Sequence, residues 1–181
     1  MKSKVLTVNN MALIAMFAAV TAVLSQIIIP LPFTPAPINL ATLSVFLAGG
    51  LLGAKRGCAS QMIYVLLGIV GMPVFTNFRA GFNVITGPTG GYIAGYVLSA
   101  FVIGLLKNKL PQKTVWYALN MAVGAVCYFT LGTIWFMFLT KSTLTVSLTM
   151  CVIPFIPGDI LKIILSAFLV KRIDAVSIPN L

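Results

Sequence analysis

Residues 115–139 read VWYALNMAVGAVCYFTLGTIWFMFL and contain no charged side chain. A helix crosses the hydrocarbon core of a bilayer with about 20 apolar residues, so this stretch is long enough for one complete span. The rest of the chain has the same character, because 60% of its 181 residues are hydrophobic, 8% are charged and its mean hydropathy is +1.08. Soluble domains are only about half apolar. The sequence therefore predicts an integral membrane protein made of helices.

Together with five other apolar runs, this stretch predicts six membrane-spanning helices in one all-α domain that covers residues 1–181, with no soluble domain. We expect spans at about 10–29, 38–53, 57–71, 87–106, 115–139 and 157–172, the last preceded by a short lead-in at 144–153. Proline cannot donate the hydrogen bond that a helix interior needs, so prolines mark the connections. Four of them predict an extended first loop: Pro30, Pro32, Pro35 and Pro37. A second, more polar loop is expected at about 72–86.

The basic residues predict the orientation of these helices. Cytoplasmic segments of membrane proteins are enriched in lysine and arginine. If the N-terminus is cytoplasmic, nine of the twelve basic residues lie on the cytoplasmic side. These nine are Lys2, Lys4, Lys55, Arg56, Lys107, Lys109, Lys113, Lys171 and Arg172. We therefore expect both termini in the cytoplasm and the loops at 30–37 and 72–86 outside. Basic residues scattered in this way argue against a nucleic-acid partner.

The chain has only two acidic residues, and one of them, Asp159, lies with Lys162 inside an apolar helix. Residues three apart share one helix face, so the two side chains can point to the same place. Charges inside a membrane span are costly and are therefore candidates for function. The alternative is an ion pair that only fixes helix packing. The predicted orientation places the pair near the outer mouth of the bundle.

The residue types that are missing limit the chemistry. The chain has no histidine and only two acids, which excludes a Ser–His pair, a carboxylate dyad and a metal-ligand cluster. It also has no Walker A motif that would bind ATP. The three cysteines are isolated in apolar sequence and are expected to be small buried residues. We expect neither an enzyme nor a metal protein.

Small residues at four-residue spacing predict close packing between helices. Such residues occur among the glycines at Gly49, Gly53, Gly57, Gly91 and Gly95, where packing inside the bundle is the simpler interpretation. They also occur on the first helix as two alanine pairs, Ala15 with Ala19 and Ala18 with Ala22. For the alanines, contact with another membrane protein is as plausible as internal packing.

Five motifs in chain order are similar to those of the BioY family, the biotin-specific substrate-binding (S) components of energy-coupling-factor (ECF) vitamin transporters. They are PLPFTPAP at 30–37, LAGGLLGAKRG at 47–57, YVLLGIVGMPVF at 64–75, GPTGGY at 87–92 and PGDILK at 157–162. The resemblance covers nearly the whole chain. One departure is the segment TNFRA at 76–80, where the family pattern predicts a small, glycine-rich loop.

The resemblance implies a six-helix bundle in the cell membrane of a prokaryote that binds biotin near the outer face. It implies partners as well, namely a transmembrane T protein and two cytoplasmic ATPases, which agrees with the missing ATP-binding motif. Biotin would be the transported ligand, and no cofactor is expected. In this family the alanine repeats on the first helix resemble the surface that docks the T protein, which would assign Ala15 and Ala19 or Ala18 and Ala22 to that role.

The chemistry of biotin suits the candidate residues. Its ureido ring has two N–H donors and a carbonyl, so a carboxylate acceptor and an ammonium donor complement it. The polar candidates for the site are Asp159, Lys162, Asn77 and Arg79, and the apolar or aromatic ones are Phe75, Tyr92 and Ile160. Taken singly, Arg79 could be a solvated loop residue and Tyr92 an interfacial anchor. The sequence does not tell which polar residue meets which end of biotin.

Two other functions remain open at this stage. A self-sufficient secondary transporter would need an ion-coupling residue, and Asp159 is the only membrane-embedded acid available for that task. An assembly subunit without a ligand would use the charged pair only for packing.

Overall fold

The computed structural model describes residues 7–30, 37–111 and 113–176, and this part of the chain is mostly helical. Its helices are α1 (Val8–Leu24), α2 (Ala41–Val70), α3 (Phe82–Thr86), α4 (Gly90–Lys107), α5 (Thr114–Thr140), α6 (Leu144–Cys151) and α7 (Ile156–Val176). Two short strands, β1 (Ile28–Ile29) and β2 (Ile38–Asn39), pair antiparallel.

Three helical stretches in the described residues are long and apolar enough to cross a membrane: Gly90–Lys107, Thr114–Thr140 and Leu144–Asp174. The shorter helix Val8–Leu24 is apolar as well. The large apolar side chains that α5 and α7 leave exposed, such as Val126 and Leu161, fit contact with lipid rather than water. By the length and composition of its helices, the prediction of a helical membrane protein is confirmed.

The helix α2 reverses direction at Gly53 and is therefore a hairpin of two antiparallel halves, 41–52 and 54–70. The backbone of Gly53 has φ 76° and ψ −179°, which a residue with a side chain rarely adopts. The hydroxyl of Thr21 on α1 lies 2.8 Å from the hydroxyl of Ser44 and accepts a hydrogen bond of 3.1 Å from the amide of Gln61. A straight helix would separate Ser44 and Gln61 by roughly 25 Å. The two halves correspond to the second and third predicted spans.

The first two predicted helices have different ends in the structure. Helix α1 ends at Leu24 and not near residue 29, and α2 begins at Ala41 and not at residue 38. The intervening residues Ile28 and Ile29 pair with β2 instead. Isoleucine is β-branched, and a residue that precedes proline is biased toward extended backbone, so the end of this apolar run favours a strand. Pro32 and Pro35 lie outside the described residues, as do Lys2 and Lys4.

The predicted loop at 72–86 contains a short helix that the sequence pattern did not indicate. Helix α3 is only five residues long, which is too short for a helical period to be recognised. The last region agrees with its prediction, because α6 and a 3-10 turn at Ile153–Phe155 precede the long helix α7. The predicted span at 115–139 agrees with α5 within a residue at each end.

Helix α4 packs between α2 and α5, and α7 closes the bundle against α2 and α5. Glycines allow the close contacts. A Cβ atom added to Gly49 would lie 2.8 Å from the carbonyl oxygen of Ala100, and one added to Gly95 would lie 2.8 Å from the Cβ of Tyr128. Both contacts lie inside the bundle, as the simpler interpretation of the glycine spacing predicted. The packing leaves a cavity at the end of the bundle where α4 and α7 begin.

Candidate functional site

A cavity lies between α2, α4, α5 and α7, beneath the segment that follows α2. Its volume on the scale used for buried waters is about 100 Å³, whereas a single water needs roughly 10–15 Å³ on that scale. The cavity therefore has room for a small organic molecule. Its walls include six of the seven residues that the sequence analysis offered for biotin, all except Ile160: Phe75, Asn77, Arg79, Tyr92, Asp159 and Lys162.

The buried end of the cavity holds an ion pair. The ammonium of Lys162 lies 2.7 Å from Oδ1 of Asp159, and the two side chains are only 8% and 6% exposed. Both contact α2, because the Thr42 hydroxyl accepts a hydrogen bond of 3.0 Å from Lys162 and donates one of 3.4 Å to Asp159. The Tyr128 hydroxyl on α5 donates to Oδ2 of Asp159. Three helices thus hold one acid and one base in fixed positions.

Local sequence explains why the charges lie at this end. Pro154 lies in the 3-10 turn before α7, and Pro157 stands in the first turn of α7, where a missing N–H costs no helical hydrogen bond. Asp159 therefore falls in the first turn, where the helix dipole favours a negative charge. Lys162 follows one turn further along the same face. The juxtaposition that the spacing predicts is present in the structure.

The rim of the cavity is formed by the segment after α2. Asn77 and Arg79 are exposed, whereas Phe75 is buried with its ring edge-on to Tyr64 at a centroid distance of 5.6 Å. The backbone N–H of Phe75 donates to the carbonyl of Arg79 at 3.0 Å, which closes the turn. Asn77 has φ 62° and ψ 36°, the left-handed region that asparagine tolerates better than most residues. The cavity thus has a polar, solvated rim and a buried charged end.

Tyr92 lies in the wall at the start of α4. Its hydroxyl donates to the carbonyl of Cys151 at 3.1 Å and so connects α4 with the end of α6. The ring is half-buried and lines the cavity. Because its hydroxyl already has a protein partner, Tyr92 contributes mainly an aromatic surface to the cavity. Ile160 has a different position from the one expected, since it is 50% exposed and faces an apolar groove between α5, α6 and α7.

Sequence reasoning missed several residues of the cavity. Thr42 and Tyr128 contact the ion pair directly, and Tyr96 and Phe129 line the walls. The only available signal was a tyrosine in the middle of a long apolar run, since interfacial tyrosines lie near the ends of membrane helices. Thr42 has no such signal, because a threonine in a membrane helix can satisfy its hydroxyl on its own backbone.

The four alanines of α1 differ in exposure. Ala15 and Ala19 are exposed and lie on one face of the helix. Ala18 is 1% exposed and belongs to the core, and Ala22 is half-buried against it. Of these four alanines, Ala15 and Ala19 are therefore the pair whose small side chains are exposed to a partner in this conformation.

A second ion pair lies at the opposite end of the bundle. The ammonium of Lys107 at the end of α4 lies 3.2 Å from Oδ1 of Asp174 on α7 and also donates to the carbonyl of Leu51 at 3.3 Å. The Tyr117 hydroxyl on α5 donates to Oδ2 of Asp174 at 2.8 Å. This cluster therefore connects the ends of α4, α5 and α7 with the break in α2. Among the described residues, no three His, Cys, Asp or Glu side chains group into a metal site.

Comparison with known proteins identifies the family. The model of the BioY family matches residues 1–178. The chain belongs to the BioY family. The biotin transporter BioY of Thermotoga maritima is 36% identical over 152 residues, which cover 84% of this chain and 89% of that relative. The biotin transporter BioY of Rhodobacter capsulatus is 33% identical over 177 residues, which cover 91% of this chain and 93% of the relative.

A solved structure has the same fold as this BioY-family chain. It is the crystal structure of the S-component for biotin from an ECF-type ABC transporter, with a TM-score of 0.87 and 31% sequence identity. The similarity covers 94% of this chain and 95% of that one. Because the relatives of the BioY family are transporters, the prediction that the chain is not an enzyme is confirmed.

Proposed function

We propose that this chain is the biotin-binding S component of an ECF-type uptake transporter. It takes up biotin in the cavity at the outer face and delivers it inward together with a transmembrane T protein and two cytoplasmic ATPases. The observation that carries this proposal is the Asp159–Lys162 pair at the buried end of a cavity with aromatic walls. The names of its relatives, which are biotin transporters, support the choice of ligand.

The ion pair retains hydrogen-bonding capacity for a ligand. A carboxylate accepts about four hydrogen bonds, and Asp159 accepts three, from Lys162, Thr42 and Tyr128. The ammonium of Lys162 has three donors, and two of them point at Asp159 and Thr42. Within the part of the chain that the structure describes, one acceptor position of the carboxylate and one donor of the ammonium have no protein partner and remain for a ligand. A ureido ring, with N–H groups beside a carbonyl, is complementary to both.

The depth of the cavity supports one orientation of biotin. We place the ureido ring at the buried end, where it meets a pair whose charges cancel, and the valerate carboxylate at the exposed rim near Arg79 and Asn77. A carboxylate at the buried end would face Asp159 and lose its hydration. The apolar bicycle then lies against the aromatic walls, which include Tyr96 and Phe129.

The proposal includes six membrane spans, formed by α1, the two halves of α2, α4, α5 and α7. Both termini are cytoplasmic, because that orientation places most basic residues inside. The protein then lies in the cell membrane of a prokaryote with its cavity outward. Ala15 and Ala19 on α1 are the proposed contact for the T protein. Biotin is the cargo, and the chain needs no cofactor of its own.

Calorimetric titration of the purified protein in detergent with biotin, thiamine and riboflavin tests the ligand. We expect saturable binding of biotin and no binding of thiamine or riboflavin. Biotinamide, which lacks the carboxylate charge, tests the orientation. The wild type should prefer biotin to biotinamide, and Arg79→Ala should reduce that preference. Binding of thiamine or riboflavin in place of biotin would refute the proposal, and an unchanged preference in Arg79→Ala would refute the orientation.

A second candidate is a self-sufficient, ion-coupled transporter of the same ligand. The observation that favours it is the buried carboxylate of Asp159 in a membrane helix, the position of many coupling residues. Liposomes that contain only this protein distinguish the two candidates. Biotin uptake driven by a proton gradient without ATPases would support the second, and uptake only after addition of the T protein and ATPases would support the first.

A further inference from the structure

The turn after α2 has an unfavourable backbone conformation at the rim of the cavity. Asn77 and Phe78 follow each other with φ of 62° and 54°. Left-handed backbone at a residue other than glycine is unfavourable, so two such residues in succession need support from surrounding groups. The Phe78 side chain is 70% exposed and supplies little of it. Asn77 and Arg79, the polar groups of the rim, belong to this turn.

The side chain of Gln26 supplies hydrogen bonds on both sides of Asn77. Its Nε2 donates to the carbonyl oxygens of Val74 and Phe75, each at 3.1 Å. Its Oε1 accepts a hydrogen bond of 2.9 Å from the backbone N–H of Phe78. A single amide therefore connects the two arms of the turn, and it does so through the backbone.

Gln26 is itself held at the end of α1. Its Nε2 lies 2.9 Å from the Ser25 hydroxyl and 3.2 Å from the carbonyl of Ala22. The buried hydroxyl of Ser25 contacts the carbonyl of Val74 at 2.6 Å. The turn is thus attached to a helix end that contributes no side chain to the cavity walls. Other contacts hold the first half of the turn, since Asn39 donates to the Thr76 hydroxyl at 3.0 Å.

We propose that Gln26 is a positioning residue for biotin binding, which acts by holding the turn at 74–79 so that Asn77 and Arg79 face the ligand. This inference rests on the proposed function. An amide is required because the turn presents two acceptors and one donor to it. A carboxylate offers only acceptors, and an apolar side chain offers neither.

The test uses Gln26→Met, which preserves length and removes every hydrogen bond. We expect biotin affinity to fall roughly 10-fold, mainly through faster dissociation, because backbone groups of the turn lose their partners. Gln61→Met is the matched control. Gln61 is a buried glutamine that hydrogen-bonds Thr21 on α1 and Ser60, and among the described residues no side-chain hydrogen bond joins it to the turn. The control should change thermal stability and leave biotin affinity within about twofold.

A double-mutant cycle separates positioning from general stabilisation. In the background Asn77→Ala with Arg79→Ala, the rim groups are absent, so Gln26→Met should change the residual affinity by no more than about twofold. An equal loss in both backgrounds would overturn the proposal, as would wild-type affinity in Gln26→Met alone. If Gln26→Met does not fold, Gln26→Glu carries the same test, because it keeps the acceptor for Phe78 and loses the donor.

Hydrogen exchange without ligand provides a readout that does not depend on biotin. Gln26→Met should accelerate exchange in residues 74–80, whereas Gln61→Met should not. Unchanged exchange in that segment would also overturn the proposal. If the wild type binds no biotin, both the proposed function and this role fail. If the wild type binds biotin and Gln26→Met has the same biotin affinity and the same hydrogen exchange as the wild type, the positioning role alone fails.

Discussion

The two acidic residues of the chain each contact one lysine and one tyrosine, at opposite ends of the bundle. Asp159 pairs with Lys162 on its own helix, whereas Asp174 pairs with Lys107 on a different helix. The first pair is 6–8% exposed beside a cavity, and the second is 16–26% exposed and completes its contacts with Tyr117 and a backbone carbonyl. The same residue types therefore line a cavity, the proposed ligand site, in one place and connect helices in the other.

The difference follows from what each pair can still bind. The pair within α7 also contacts α2 and α5, but it lies where the cavity gives a ligand access. The pair between helices connects α4 to α7 and caps a carbonyl at the break in α2. Proximity to a cavity is therefore the property that distinguishes the proposed binding site from the structural contact.

The largest expected difference concerns biotin affinity after neutralising each acid. Asp159→Asn should lower affinity by roughly 100-fold or more, because it removes one partner of a desolvated, hydrogen-bonded charge pair. Asp174→Asn should leave affinity within about twofold, because it lies at the far end of the bundle. Calorimetry with the purified variants measures both. Equal losses in the two variants would mean that affinity follows stability and not the site.

The second prediction concerns stability at the buried pair. Lys162→Met leaves the carboxylate of Asp159 without its counter-charge, which should cost about 3–5 kcal/mol in stability. The double variant Asp159→Leu with Lys162→Met should recover most of that loss and still not bind biotin. Thermal unfolding in detergent, followed by a biotin titration, provides the comparison. Recovery of binding in the double variant would contradict the assigned role of the pair.

The third prediction compares the two tyrosines. Tyr128→Phe removes the hydroxyl that donates to Asp159, and a hydrogen bond to a charged group contributes about 1.5–3 kcal/mol. Because Lys162 and Thr42 still hold the carboxylate, we expect a smaller loss, roughly 5- to 10-fold in biotin affinity. Tyr117→Phe at the other pair is the control and should bind biotin normally. If Tyr128→Phe binds biotin with the affinity of the wild type, Lys162 and Thr42 suffice to orient Asp159.

The smallest expected effect is the salt dependence of the more exposed pair. Replacing Asp174 by Asn should cost roughly 1 kcal/mol or less, because partly exposed ion pairs contribute little. That cost should shrink as salt is raised, whereas the effect of Asp159→Asn on biotin affinity should hardly change. Thermal unfolding at low and high salt measures the first quantity, and titration measures the second. A salt-independent cost at Asp174 would indicate that its bond to Tyr117 dominates.

Much of the site could be predicted because charged residues are rare in this sequence, so a pair of them in an apolar helix is easily recognised. The spacing of Asp159 and Lys162 predicts their contact, since both lie on one helix and the helical period is local. The contact with Thr42 was not predictable in the same way. It joins residues more than a hundred positions apart, and a threonine in an apolar helix gives no sign of its partner. The hydrogen bonds between Gln26 and the turn at 74–79 were missed for the same reason.

The errors at helix ends have a related cause. Apolar composition predicts that the first run extends to about residue 29, but composition does not distinguish a helix from a strand. The strand at Ile28–Ile29 is completed by the pairing of Ile29 with Ile38. The exposure of the α1 alanines is also a tertiary result, because Ala15 and Ala18 are equivalent in sequence and differ only in what packs against them.

By itself, the sequence determined the membrane class, the helical fold and the pair of charges, because hydrophobicity and helical spacing act over a few neighbouring residues. The predicted spans at 38–53 and 57–71 already indicate the reversal near Gly53, whereas the tertiary structure alone decided that three helices enclose Asp159 and Lys162 and that Gln26 hydrogen-bonds the turn at the rim. Those features depend on contacts between distant parts of the chain, which arise only when helices pack. Residues 115–139 thus predict that a helix crosses the membrane, and packing decides that Tyr128 on that helix contacts Asp159.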